Sequence, residues 1–305
     1  MGRAAILAGL LALLAQGADA ETFESAGTKR NYTAIIPKTT PAPLVLILHG
    51  NTQQGKDMRT RTSWPDVAKR EGFVAVFPDG LNRAWADFRG DAGRVGRSPP
   101  AGTDDVAFLT ALLAKFVHDG AADPRRIYVT GVSNGGHMTL TLACTHAELF
   151  AAAASVIASF TDIMMASCKP SRPIPLLMMN GTADPLIAYG GGRGTSRYAV
   201  PNVVSTAATV AFWRKNNGCA AGDRQSTKLP DKDKDDSSTV TRVDSDCPDG
   251  HDVVLYRVDG GGHRMPGSFP DARFVRVVDA LLGPQNHDID GAETIWAFFK
   301  THTLP

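Results

Sequence analysis

The chain has 305 residues, with 32 Lys and Arg set against 31 Asp and Glu. So even a balance supplies no overall field to gather nucleic acid or an anionic membrane, and the expected partner is a small-molecule or polymeric neutral substrate. Met1 to Ala20 carries one basic residue, an apolar run from Ala4 to Ala15 and the small-residue ending Ala18-Asp19-Ala20, the layout of a cleaved secretory signal. The alternative, a membrane anchor, needs an apolar stretch of ~20 residues, which this run does not reach. Residues 21–305 then fit one large α/β domain.

In chain order, Arg30 to Pro37 alternates as an edge strand would, and Pro41 to Pro43 mark a turn. Leu44 to Leu48, ending at His49-Gly50, is an unbroken apolar run suited to a strand buried on both faces. Phe73 to Phe77, Ile127 to Thr130 and Ile174 to Met179 are further runs of this kind, each followed by turn residues. Asp105 to His118 and His137 to Thr145 read as helices between them. Alternation of this sort predicts a mostly parallel sheet with helices on both faces, whose ligand crevice lies at the carboxyl ends of the strands. Trp85 to Thr103, rich in Gly, Arg, Asp and Pro, and the charged stretch Asp223 to Asp246 read as exposed loops or insertions.

Cys144, Cys168, Cys219 and Cys247 lack the short paired spacing of a zinc site, so no metal is expected of them. In a secreted chain disulfides are the better reading than free buried thiols. Of the three possible pairings, Cys144 with Cys168 and Cys219 with Cys247 are favoured, because each closes a local loop.

Gly131-Val132-Ser133-Asn134-Gly135 matches G-x-S-x-G. A chance match in a glycine-rich chain is the plain alternative, but a strand precedes it and a small-residue helical segment follows, which is the context of a nucleophile elbow. A serine hydroxyl is a weak nucleophile and needs a base, which in turn needs an acid to orient it. In the order Ser, acid, His, the acid is Asp184 at a strand-end turn, with Asp162 as runner-up. The base is His263, which follows the strand-like run Val253 to Val258 and a glycine-rich loop. Backbone N–H groups of Asn134 and Asn51 are the candidate oxyanion donors, with Thr52 left open. His49 is read as shaping the Asn51 loop. Trp85 is a candidate wall for the substrate, or else a tryptophan packed for stability.

Leu48 to Gln53, Thr103 to Val106, Asp123 to Gly131, Ser133 to Gly136, Asn180 to Pro185 and Gly261 to His263 together resemble the secreted esterases grouped as polyhydroxybutyrate depolymerases and feruloyl or acetylxylan esterases. The resemblance runs from about Arg30 to His263. It implies an α/β-hydrolase fold, a Ser133–His263–Asp184 triad, no cofactor, and hydrolysis of a hydroxyalkanoate-type ester, with feruloyl or acetylxylan ester as the alternative. Asn51 stands where many relatives carry Cys, His137 where Met is common, and Arg264-Met265-Pro266 where an aromatic usually precedes Pro. The last two departures are expected to change the pocket wall. A serine peptidase and a non-catalytic binding protein of the same fold are the readings from other classes.

Overall fold

The computed structural model describes residues 20–89, 96–268 and 280–305. The expected signal therefore lies outside the described residues, apart from Ala20. Among those residues the strands are β1 (Glu21–Ser25), β2 (Thr28–Ile35), β3 (Ala42–Leu48), β4 (Val74–Pro78), β5 (Ala122–Val132), β6 (Ala152–Val156), β7 (Leu176–Gly181), β8 (Asp223–Lys228), β9 (Thr239–Ser245) and β10 (Val253–Asp259). They form one sheet in the order β1-β2-β4-β3-β5-β6-β7-β10-β9-β8. From β4 to β10 every neighbouring pair is parallel, and the two strands at either edge are antiparallel.

Apolar residues on both sides of the central strands explain this layering. Leu44, Leu46 and Leu48 of β3 point into one core with Phe108, Leu112, Met138 and Trp213. Val45 and Ile47 of the same strand enter a second core with Trp64, Ile295 and Phe299. A strand buried on both faces needs helices on both faces. The first core is covered by α3 (Asp105–His118), α4 (Asn134–Thr145) and α6 (Thr206–Asn216), the second by α1 (Gly55–Arg61), α2 (Trp64–Glu71) and the C-terminal helix Gly291–Phe299. The short α5 (Asp162–Ser167) follows β6.

The fold is thus the expected α/β-hydrolase type, with three differences of detail. β2 is not the edge, because β1 pairs outside it. β6, built of Ala152-Ala153-Ala154-Ser155-Val156, carries little strand propensity and exists because β5 and β7 flank it. The charged stretch Asp223 to Asp246 is mostly the antiparallel pair β8 and β9 rather than a loop. β8 is exposed along most of its length, whereas β9 is largely buried and its Arg242 and Asp244 pair with each other. Both disulfides have the expected partners, Cys144 with Cys168 and Cys219 with Cys247.

Register sets up the site. Leu48 pairs with Gly131, Val132 with Val156, and Gly181 with Val258, so the carboxyl ends of β3, β5, β7 and β10 gather at one edge of the sheet. The loops leaving those strands carry the residues singled out in the sequence.

Candidate active site

Ser133 stands between β5 and α4 with φ 55° and ψ −116°, a region that costs a non-glycine residue ~1–3 kcal/mol and persists only when neighbours enforce it. The enforcement is visible. Its N–H donates to the Val156 carbonyl at 2.9 Å, and the first turn of α4 presses onto β3. A Cβ on Gly135 would stand 2.5 Å from the Leu48 carbonyl oxygen and 2.6 Å from that of His49, so only glycine allows this approach. The second glycine of the motif is therefore a packing requirement.

The structure brings Ser133, His263 and Asp184 together. The Ser133 hydroxyl lies 2.8 Å from His263 Nε2, and His263 Nδ1 lies 2.6 Å from Asp184 Oδ2. Asp184 Oδ1 accepts two backbone N–H bonds, from Leu186 and Ile187, each at 2.8 Å. Three contacts to the carboxylate fix its plane, and the carboxylate in turn fixes the imidazole with its proton on Nδ1. Nε2 is then left as an acceptor facing the serine. The loop bearing His263 rests on the end of β7, where a Cβ on Gly181 would be 2.2 Å from the Gly261 carbonyl oxygen. Asp162 lies apart, exposed in the first turn of α5.

The two candidate oxyanion donors belong to residues that line the same cavity as Ser133. Asn134 is the first residue of α4, so its N–H has no acceptor within the helix. In the loop after β3, three N–H groups are already taken: Gly50 donates to Gln53 Oε1, Thr52 to the Arg83 carbonyl, and Gln53 to the Gly50 carbonyl. That of Asn51 remains among the described residues, and Thr52 drops out. His49 acts on this peptide directly. Gly80 N–H donates to His49 Nε2 at 2.9 Å, so the ring proton sits on Nδ1, which donates to the Gly50 carbonyl at 2.7 Å. Burial pushes the His49 pKa down to about 4, in keeping with a neutral ring. Because C=O and N–H of a trans peptide point opposite ways, holding the Gly50 oxygen turns the Asn51 N–H away from His49.

Ser133, His263, Asn51 and Asn134 open onto a cavity of about 410 Å³. Its lining combines apolar residues, Ile157, Leu186, Ile187, Val200, Tyr198 and Leu281, with polar ones that include Gln53 and Arg89. Trp85 is not among the lining residues. It is fully buried, and its N–H groups are engaged by Asn134 Oδ1 and the His49 carbonyl. Burial of this kind fits the tryptophan packed inside rather than the substrate wall. The neighbouring Asp87 and Arg89, read as part of an exposed loop, are buried as well. Sequence reasoning missed them, since a run of Asp and Arg among glycines carries the signature of solvent. Neither His137 nor Arg264 to Pro266 lines the cavity among the described residues, contrary to the expectation that they shape its wall. His137 is instead buried behind it, where burial and then the charge of Arg89 push its pKa down to about 3.

A profile of the prolyl oligopeptidase family matches residues 72–190, under half of the chain. NocK of Nocardia uniformis subsp. tsuyamanensis, a protein assigned as an esterase, is 30% identical over 289 residues, which cover 88% of this chain and 78% of that one. Feruloyl esterase C of Emericella nidulans is 27% identical, covering 78% of this chain and 77% of its own length. Feruloyl esterase B of Piromyces equi is 28% identical over 73% of this chain, which spans only 39% of that relative. An acetyl xylan esterase from Aspergillus awamori shares the fold with a TM-score of 0.55 at 14% identity, over 86% of this chain and 98% of that structure. The chain belongs to the feruloyl esterase-type family of α/β hydrolases and is a carboxylic ester hydrolase.

Proposed function

We propose that the protein is a secreted serine esterase acting on feruloyl- or acetyl-type esters of plant cell-wall polymers or their fragments. The observation that carries the serine mechanism is the unbroken chain Ser133 Oγ, His263, Asp184, with spacings of 2.8 and 2.6 Å. In it, Ser133 attacks the ester carbonyl while His263 Nε2 takes the hydroxyl proton, and Asp184 stabilises the imidazolium that forms. The Asn51 and Asn134 N–H groups hold the oxyanion. His263 then gives its proton to the departing alcohol, and a water repeats the sequence to release the acid.

The choice of substrate rests on the named relatives and on the cavity. Feruloyl and acetylxylan esterases stand among those relatives, which favours these esters over the hydroxyalkanoates placed first on sequence. A lining that mixes apolar and polar residues suits an ester with both an acyl group and a hydroxyl-bearing alcohol. Two disulfides among the described residues favour an oxidising compartment, and none of the described helices is long and apolar enough to cross a membrane.

The test compares methyl ferulate, acetylated xylan and hydroxybutyrate oligomers with the wild type and Ser133→Ala. Turnover of ferulate or acetyl esters should exceed that of the oligomers, and Ser133→Ala should remove nearly all of it, since triad losses reach ~10⁶. A tenth of the wild-type rate left in a folded Ser133→Ala protein would rule out this nucleophile. Cleavage of p-nitroanilides as fast as the matching esters would turn the assignment toward a peptidase.

A further inference from the structure

The two backbone donors come from loops that are distant in sequence, and each would drift if its loop moved. Asn51 follows β3, whereas Asn134 opens α4. What joins them is Trp85. Its backbone N–H donates to Asn134 Oδ1 at 2.8 Å, and its carbonyl accepts from Asn134 Nδ2 at 3.2 Å. Its indole N–H donates to the His49 carbonyl at 2.9 Å, and its ring lies against the His49 imidazole with centroids 4.7 Å apart. His49, as described above, holds the Gly50–Asn51 peptide. Asn134 Nδ2 also donates to Asp87 Oδ2 at 2.6 Å, so the Asn134 amide is fastened on both sides by one short segment.

All of these groups are buried. Hydrogen bonds away from water are hard to replace once broken, because each freed partner stays desolvated. We propose that Trp85 is a positioning residue, a clamp that fixes the separation and aim of the Asn51 and Asn134 N–H groups without touching substrate. The inference rests on the reading of those two groups as oxyanion donors. Precision matters at such a site, because donors must lie within hydrogen-bonding distance of where the oxyanion forms, and a shift of ~1 Å can cost ~10² in rate.

The experiment is Trp85→Phe, which keeps an aromatic ring and removes the indole N–H, read on a p-nitrophenyl ester and on a trifluoromethyl ketone that adds to the serine as a tetrahedral oxyanion. The expected result is a kcat loss of ~10- to 100-fold, KM within about twofold, and ketone affinity lowered by a factor similar to kcat. Trp213→Phe is the control, as Trp213 is equally buried and its indole N–H has no partner among the described residues. It should lower the melting temperature while leaving kcat and ketone affinity unchanged. If Trp85→Phe does not fold, Asn134→Ala removes both side-chain bonds to Trp85, keeps the backbone N–H, and should show the same split. A folded Trp85→Phe protein with kcat and ketone affinity within twofold of wild type overturns the clamp, as does a loss confined to KM, which would return Trp85 to the substrate wall. If the wild type itself binds the ketone no better than the substrate, the oxyanion reading fails instead, and the clamp with it.

Discussion

Among the described residues, three arginines pair with an aspartate two residues away, and they sit in two contrasting places. Asp87 and Arg89 are buried beside the cavity that Ser133 lines, with side-chain exposures of 0% and 5% and a closest approach of 2.6 Å. Arg242 with Asp244 and Arg257 with Asp259, both at 2.7 Å, lie toward the β8–β9 edge, and the second pair is 40% and 37% exposed. The contacts are alike, yet their consequences differ. Burial pushes the Asp87 carboxyl up, but the charge and hydrogen bonds of Arg89 together with His137 leave it below the ordinary carboxylate range. At the edge, water already does most of what a partner would do. The edge is held differently: Cys219 and Cys247 close the base of the hairpin formed by β8 and β9. Polar bonds organise the centre, and a covalent one secures the margin.

The largest effect expected from this contrast is at Asp87. Asp87→Ala deprives a buried guanidinium of its carboxylate and Asn134 of an acceptor, and should cost about 3–5 kcal/mol in urea unfolding. A loss below 1 kcal/mol would place the pair on the same footing as the edge pairs. Next is the clasp. Replacing Cys219 and Cys247 together by Ser should cost about 2–4 kcal/mol, with esterase activity per folded molecule retained. Loss of activity in the folded double variant would show that the margin and the site are coupled.

Acid sharpens the contrast by a smaller step. Below ~6.5 the unfolded chain protonates His49 and His137, while in the fold these stay neutral down to about 4 and about 3. Their contribution to stability is whole above ~6.5 and is lost as pH falls toward those lower values, by up to about 1.4 kcal/mol per pH unit for each ring. His137→Met should therefore flatten the dependence of unfolding free energy between pH 6.5 and 4.5. An unaltered slope would mean that His137 takes up its proton in the folded protein. Smallest of all is Arg257→Ala, which should change stability by ~1 kcal/mol or less. A larger loss would show that the edge pair is not screened.

Much of this was legible because the central strands declare themselves. A strand covered on both faces has nothing but apolar residues to offer, and the turn that follows it carries the chemistry. Ser133 and Asp184 stand just past such strands, and His263 follows β10, whose first residues are apolar and whose end carries Arg257 and Asp259. β6 escaped because a run of alanines has no strand signature, and β8 and β9 because charged strands near the sheet margin share the composition of loops. Asp87 and Arg89 escaped for another reason. Two opposite charges can be buried only together, and nothing in the order of the residues says that this pair goes inside while Arg257 and Asp259 stay out. Trp85 was left open between substrate wall and packing because its partners Asn134 and His49 lie 49 and 36 residues away along the chain.

The wiring of the sheet also orders events in time. His263 meets Ser133 across 130 residues and Asp184 across 79, and it can do so only once β10 has taken its place beside β7. Parallel pairings between distant segments carry a large loop-closure cost and form slowly. Regained esterase activity should thus trail regained helix signal during refolding, making turnover a clock for the pairing of β10 with β7.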